Sequence, residues 1–270
     1  MERVKVGQVE LEYEVHGSGL PLLLIHGALV ADALRPLVAE PALAHLQLIH
    51  YHRRGYAGSS RPPGATSTEE QTGDAIGLLD HLGVDSGHVV GHSGGALIAL
   101  TLAATYPTRV QSLALLEPPP TSGPAGTAFL NMMVPLADRY RSGDPVGAVH
   151  GFLALIGPAW RVVIDRTVPG GVEQAEKDAS TFYDIELASA PQWAFGAEQA
   201  AVISCPTLSV LGTASGSLFA ESRKLLHAWL PRCVDADIAG ATHLLQMEQP
   251  HAVAAAIAEF LRTAATRGST

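Results

Sequence analysis

The chain has 270 residues, 47% of them hydrophobic and 16% charged, with a net charge of −9. That composition excludes a disordered chain, and with no basic run longer than HRR it argues against a nucleic-acid partner. No stretch of about 18 apolar residues occurs, so no membrane partner or span is expected, and the two cysteines, Cys205 and Cys233, lack the spacing of a metal site.

The length fits one large domain, or one domain with an insertion. The opening MERVKVGQVELEYEV alternates with period two around Gly7 and reads as a hairpin. It has no apolar core of a secretion signal, so the expected compartment is the cytoplasm and the cysteines are expected to stay unpaired. PLLLIHG is a short apolar run ending in glycine, the pattern of a strand buried on both faces. DALRPLVAEPALAH reads as a helical stretch interrupted by proline, and LQLIHY as the next strand. A Gly/Pro/Ser loop leads to the helix TEEQTGDAIGLLDHLG, with Thr68 and Gln71 as a capping box and Gly83 as its stop.

GHVVGHSGGALIALTLAATYP reads as strand, sharp turn and helix, and VQSLALLE as a further strand. The alternation then stops for a helical stretch at 118–200. It resumes with the strand PTLSVL, the helix LFAESRKLLHAWLP, the strand CVDADI and the helix PHAVAAAIAEFLRTA. Strands alternating with helices predict an α/β fold with a mostly parallel eight-stranded sheet flanked by helices. The stretch 118–200 is too long for a connection. It is expected to be a helical cap inserted after the sixth strand, over a core made of 1–117 and 201–270. Ligands of such sheets bind beyond the carboxyl ends of the strands.

GHSGG, residues 91–95, fits G-x-S-x-G. The motif alone is weak, and Ser93 could be an ordinary helix N-cap. The strand before it and the amphipathic helix after it are the setting of a nucleophile elbow, which makes Ser93 the candidate nucleophile. A serine hydroxyl needs a base. His243 in GATHLLQMEQP, after the last strand, is the candidate; the plainer alternative is a surface or capping histidine. His26, in IHG, is expected to shape a loop beside the site.

These segments resemble the α/β-hydrolase fold family: LLLIHG (22–27), YHRRGYAGSS (51–60), GHSGG (91–95), TYPTRVQSLALLE (105–117), CPTLSVLG (205–212) and GATHLLQMEQP (240–250). One departure is His52, where the family pattern D-x-R-G-x-G-x-S has aspartate. A second bears on catalysis. Most members keep a histidine-orienting aspartate after the strand TLSVLG, and here GTASGS has Ser215 near that place and no carboxylate. Some members carry the acid one strand earlier, among them certain haloalkane dehalogenases and zearalenone-type lactone hydrolases. The resemblance therefore implies Glu117, at the end of SLALLE, as the acid of a Ser93–Glu117–His243 triad. A cap aspartate such as Asp138 or Asp184, or a dyad without an acid, are the alternatives.

The same resemblance implies an oxyanion hole from the backbone N–H groups of Gly94 and Ala28. The expected activity is that of a serine hydrolase cleaving a small apolar ester or lactone, with no metal and no cofactor. Carbon–carbon bond hydrolysis or acyl transfer by the same residues, and a slow or non-catalytic receptor on this fold, stand as alternatives. A homodimer is compatible with the sequence. Cap residues Phe129, Met132, Met133, Phe152, Trp160, Phe182, Tyr183, Trp193 and Phe195 are expected to divide between the cap's own core and an apolar pocket.

Overall fold

The computed structural model describes residues 1–267 except 62, 191, 192 and 194. Eight strands form one sheet: β1 Glu2–Val6, β2 Val9–His16, β3 Pro21–Ile25, β4 Gln47–Tyr51, β5 Gly87–His92, β6 Val110–Leu116, β7 Thr207–Gly212 and β8 Cys233–Ile238. Their order is β1-β2-β4-β3-β5-β6-β7-β8. The opening hairpin pairs antiparallel and joins β4 antiparallel; every other pairing is parallel.

The central strands are buried on both faces, as their unbroken apolar runs require. Leu23, Ile25, Val89, Leu113 and Leu115 face one core, which the helices Thr68–His81 and Gly94–Thr105 cover. Leu22, Leu24, Val90, Ala114 and Leu116 face the other, closed by the helix Pro250–Arg267. Period-two alternation thus feeds two cores from the same strands. Both cysteines are free.

The helix Thr68–His81 begins one residue earlier than the sequence pattern suggested. Ser67, not Thr68, is the N-cap: its side chain accepts from the Glu70 N–H, and the Glu70 carboxylate accepts from the Ser67 N–H. A carboxylate near a helix N-terminus also meets the positive end of the dipole, which favours Glu70 over Gln71. The stop is at Gly83, with φ +68, where the Val84 N–H reaches Leu79 O and the Gly83 N–H reaches Asp80 O.

Between β6 and β7 the chain runs through helices Gly123–Arg141, Pro145–Ile156, Trp160–Thr167 and Gly171–Lys177 and the π-helical turn Thr181–Glu186. Trp160–Thr167 was not singled out from the sequence. These helices share a third apolar cluster, around Met133, Phe152, Ile164 and Tyr183, with Leu29, Val30, Leu244 and Met247 from two loops at the strand ends. Among the described residues no single helix is long and apolar enough to cross a membrane.

Ser67→Ala removes one half of the capping box. It should lower stability by about 1 kcal/mol in urea unfolding, with Thr68→Ala nearer to neutral; the reverse order would contradict the cap assignment.

Candidate active site

Ser93 follows β5 directly and precedes the helix Gly94–Thr105. Its backbone has φ 53 and ψ −124, a region non-glycine residues rarely occupy. The surroundings hold it there. The Ser93 N–H donates to Leu116 O at 2.9 Å, and Ser93 O accepts from the Ala96 N–H at 2.9 Å. Gly95 is required by a close approach, since a Cβ there would lie 2.2 Å from Ile25 O and 2.5 Å from His26 O. The helix is therefore pressed against the end of β3.

Four described non-glycine residues have positive φ, and Leu29, Ser93 and Glu117 of these flank the site. Such strain costs on the order of 1–3 kcal/mol per residue and persists only where neighbours over-determine the backbone.

Glu117 lies beside Ser93 because β5 and β6 are in register, with His92 opposite Leu116. Its side chain crosses to the end of β7, where Oε1 accepts from the Gly212 N–H at 2.6 Å and from Ser215 Oγ at 2.5 Å. Oε2 accepts from His243 Nδ1 at 2.7 Å. Glu117 and His243 are both buried, at 2% and 1% exposure. A carboxylate only accepts, so the His243 proton sits on Nδ1 and Nε2 keeps a lone pair. Gly212 must lack a side chain, since a Cβ there would lie 2.4 Å from Ala241 O. The GTASGS loop thus serves the carboxylate with donors.

The His243 loop is pinned from several sides. Glu248 accepts from the Thr242 N–H at 2.6 Å and from its hydroxyl at 2.8 Å. His92 Nε2 donates to His243 O at 2.9 Å, with the Gln246 amide 3.5 Å from His92 Nδ1. Phe219 stacks on the His243 ring, with centroids 4.1 Å apart. Among the described residues Ser93 Oγ makes no hydrogen bond. Contacts of this kind often tighten only with substrate. The His92 ring, next in sequence to Ser93, lies 4.7 Å from that of His243.

The loop after β3 carries Ala28. His26 Nε2 accepts from the Arg53 N–H at 3.0 Å, so Nδ1 holds the proton and donates to Gly27 O at 2.7 Å. Arg53 Nη2 donates to the same carbonyl at 2.8 Å. Burial pushes His26 well below the usual histidine range, helped by the Arg53 charge; burial and then the charge of His243 do the same to His92. Both are neutral spacers. Arg53 itself pairs with Glu186, which also accepts from Tyr56 Oη at 2.6 Å. That ties the loop to the helical segment above.

Ala28, Ser93 and Gly94 open onto one cavity of about 130 Å³. Phe129, Phe152, Phe182 and Trp193 line it. Met133 and Tyr183 are buried in the helical cluster, with Met132 and Trp160 packed against it, and Phe195 stacks on Trp193. Asp138 is exposed and pairs with Arg141, and Asp184 accepts from Tyr140 Oη; neither lines the cavity. Sequence reasoning did not find Ser215 as a donor, His92 as a support, Phe219 or the Arg53–Glu186 pair. For Ser215 a signal existed: a hydroxyl where a carboxylate is usual.

The sequence profile of the α/β-hydrolase fold matches residues 21–145. A thermophilic esterase from Thermogutta terrifontis is 27% identical and superposes with a TM-score of 0.78 over 98% of this chain and 99% of that one. The enol-lactonase from Burkholderia xenovorans LB400, 23% identical, shares the fold with a TM-score of 0.77 over 97% of this chain and 100% of that one. The protein named as a carbamate hydrolase, RutD, in Azorhizobium caulinodans is 39% identical over 112 residues, 41% of this chain. The match spans 42% of the length of that relative. The chain has the α/β-hydrolase fold.

Two predictions follow from the geometry. Ser215→Ala removes a donor from a buried carboxylate and should cost about 1.5–3 kcal/mol in urea unfolding; an unchanged midpoint would show that the bond carries no energy. The unfolded chain binds protons on His26 and His92 below about pH 6.5 while the folded chain does not, so these groups make stability fall as pH drops below that value. Each contributes a slope of up to about 1.4 kcal/mol per pH unit. Unfolding followed between pH 7.5 and 5 checks this, and His92→Gln should flatten the slope.

Proposed function

We propose that this chain is a serine hydrolase that cleaves a carboxylic ester or lactone through an acyl-enzyme. The observation that carries the reading is the buried His243–Glu117 hydrogen bond of 2.7 Å beside the strained turn of Ser93. His243 Nε2 takes the Ser93 hydroxyl proton as Oγ attacks the carbonyl carbon. The Gly94 and Ala28 N–H groups receive the oxyanion. His243 then protonates the leaving alkoxide, and a water deprotonated by His243 hydrolyses the acyl-enzyme. Glu117 holds the tautomer and balances the imidazolium charge that forms at each step.

The segment 118–200 acts as the lid that shapes the acyl pocket. The aromatic lining and the internal pairing of Arg53 with Glu186 favour an uncharged acyl group. The small cavity favours a short one, well under the usual range of ligand pockets. The likeness to the Thermogutta esterase supports ester chemistry. Two free cysteines fit a reducing compartment, and we assign the protein to the cytoplasm.

Hydrolysis of p-nitrophenyl esters from acetate to octanoate, with a macrocyclic lactone alongside, tests the reading. Short acyl chains should be cleaved fastest and Ser93→Ala should abolish turnover. A wild type as inert as Ser93→Ala on every substrate would contradict it and favour a ligand receptor. Glu117→Gln should stay folded but lose on the order of 10³-fold in kcat/KM, since an amide cannot accept from His243, Gly212 and Ser215 together. Activity within a few fold of wild type would remove Glu117 from the mechanism.

A further inference from the structure

Outside the cavity, on the far side of His26, the loop after β3 meets the β2–β4 pairing. Asp32, His50 and His52 each offer one ligand atom there, all within 4.8 Å of one another. His52 stands where the family pattern has aspartate. Its Nε2 is 3.0 Å from Asp32 Oδ1. Two ligands bound at about 2.0–2.1 Å to a tetrahedral zinc lie about 3.3 Å apart, so this spacing needs little adjustment.

His50 is the second and independent observation. It is fully buried, and neither ring nitrogen has a hydrogen-bond partner. It approaches the backbone of Ala31, and Glu14 Oε1 at 3.6 Å, without hydrogen-bond geometry to either. A buried imidazole loses its water on both nitrogens and here receives nothing in return; such a group points to an ion or a water.

Two carboxylates of β2 stand beside the two imidazoles, one of them within hydrogen-bond distance. Glu12 Oε2 lies 2.9 Å from His52 Nδ1, and Glu14 Oε1 faces His50 Nδ1. Antiparallel pairing sets this up, because Glu14 is opposite His50 and the His52 N–H donates to Glu12 O. A carboxylate on Nδ1 fixes the ring and raises the basicity of Nε2, as in carboxylate–histidine–metal sites. Arg35 and His16 also face Glu14, at 3.1 and 3.3 Å, and Arg3 faces Glu12 at 3.7 Å. Asp32 is 27% exposed, which leaves an entry for an ion.

We propose that Asp32, His50 and His52 form a binding site for one first-row divalent metal ion of the zinc type, supported by Glu12 and Glu14. Two imidazoles and a carboxylate suit zinc or its neighbours better than calcium or magnesium. The ion completes the unpaired His50 and replaces the direct His52–Asp32 contact. It ties the loop that carries Ala28 to the end of β4. The inference stands apart from the catalytic reading, since none of the three residues lines the cavity.

The test is a titration of the full chain, stripped with a chelator, with Co2+ followed by its visible bands and with Zn2+ followed by calorimetry and Tm. One equivalent should bind, and Tm should rise. Asp32→Asn, isosteric and only partly buried, and His52→Gln should each weaken binding at least about 10-fold, and Glu12→Gln about 10- to 100-fold. His227→Ala serves as the control, because His227, Cys233 and Asp235 form another, more exposed cluster. No saturable binding would overturn the proposal. So would binding that survives Asp32→Asn and His52→Gln but is lost in His227→Ala.

Discussion

The hydrogen bond from His243 Nδ1 to Glu117 Oε2 is the contact on which the arrangement of the site depends. It spans 126 residues of sequence and joins the end of β6 to the loop after β8. It is buried, so neither partner can exchange it for water. Leaving one of them unpaired costs far more than the bond itself contributes. The neighbouring structure accordingly supplies the remaining donors. Gly212 and Ser215 occupy Oε1, and Glu248 and His92 hold the loop that brings His243.

A carboxylate at the end of β6 has geometric consequences. β6 and β7 are neighbours, so a glutamate at the end of β6 reaches the end of β7 with its longer side chain. The backbone at Glu117 has φ 47, and its N–H donates to Val210 O at 3.2 Å. The chain therefore turns sharply at Glu117 as it does at Ser93. Strain at both turns is tolerated because parallel strands and their flanking helices leave no room for relaxation. In the proposed hydrolase that rigidity is the catalytic asset, since positioned groups need no reorganisation when charge develops.

Much of the fold was legible in the sequence. Apolar runs of five or six residues between Gly/Pro loops mark the buried strands, and the G-x-S-x-G turn sits where strand passes to helix. The capping box slipped by one residue because Ser67-x-x-Glu70 and Thr68-x-x-Gln71 overlap, and only the charge of Glu70 separates them. Glu117 came from the resemblance to α/β hydrolases: the place where most members keep the acid has no carboxylate here, and some members carry it one strand earlier. Ser215 was legible as an absence only. That its hydroxyl donates to the Glu117 carboxylate depends on the crossing from β6 to β7, which no local pattern encodes. The same is true of His92 and Phe219, whose contacts with His243 join segments far apart in the chain. The unpaired His50 follows from strand register and was invisible to any count of histidines.

The most direct test of the central claim needs no knowledge of the substrate. An organophosphonate ester reacts with a serine only when a positioned base removes its proton. The rate of covalent labelling, followed by intact mass and located by peptide mapping, should be fast at Ser93 in the wild type. It should fall on the order of 10³-fold or more in Glu117→Gln, approaching the roughly 10⁴-fold seen when a triad acid is lost. Labelling of Ser93 at equal rates in the two proteins, or no labelling of Ser93 at all, would contradict the account.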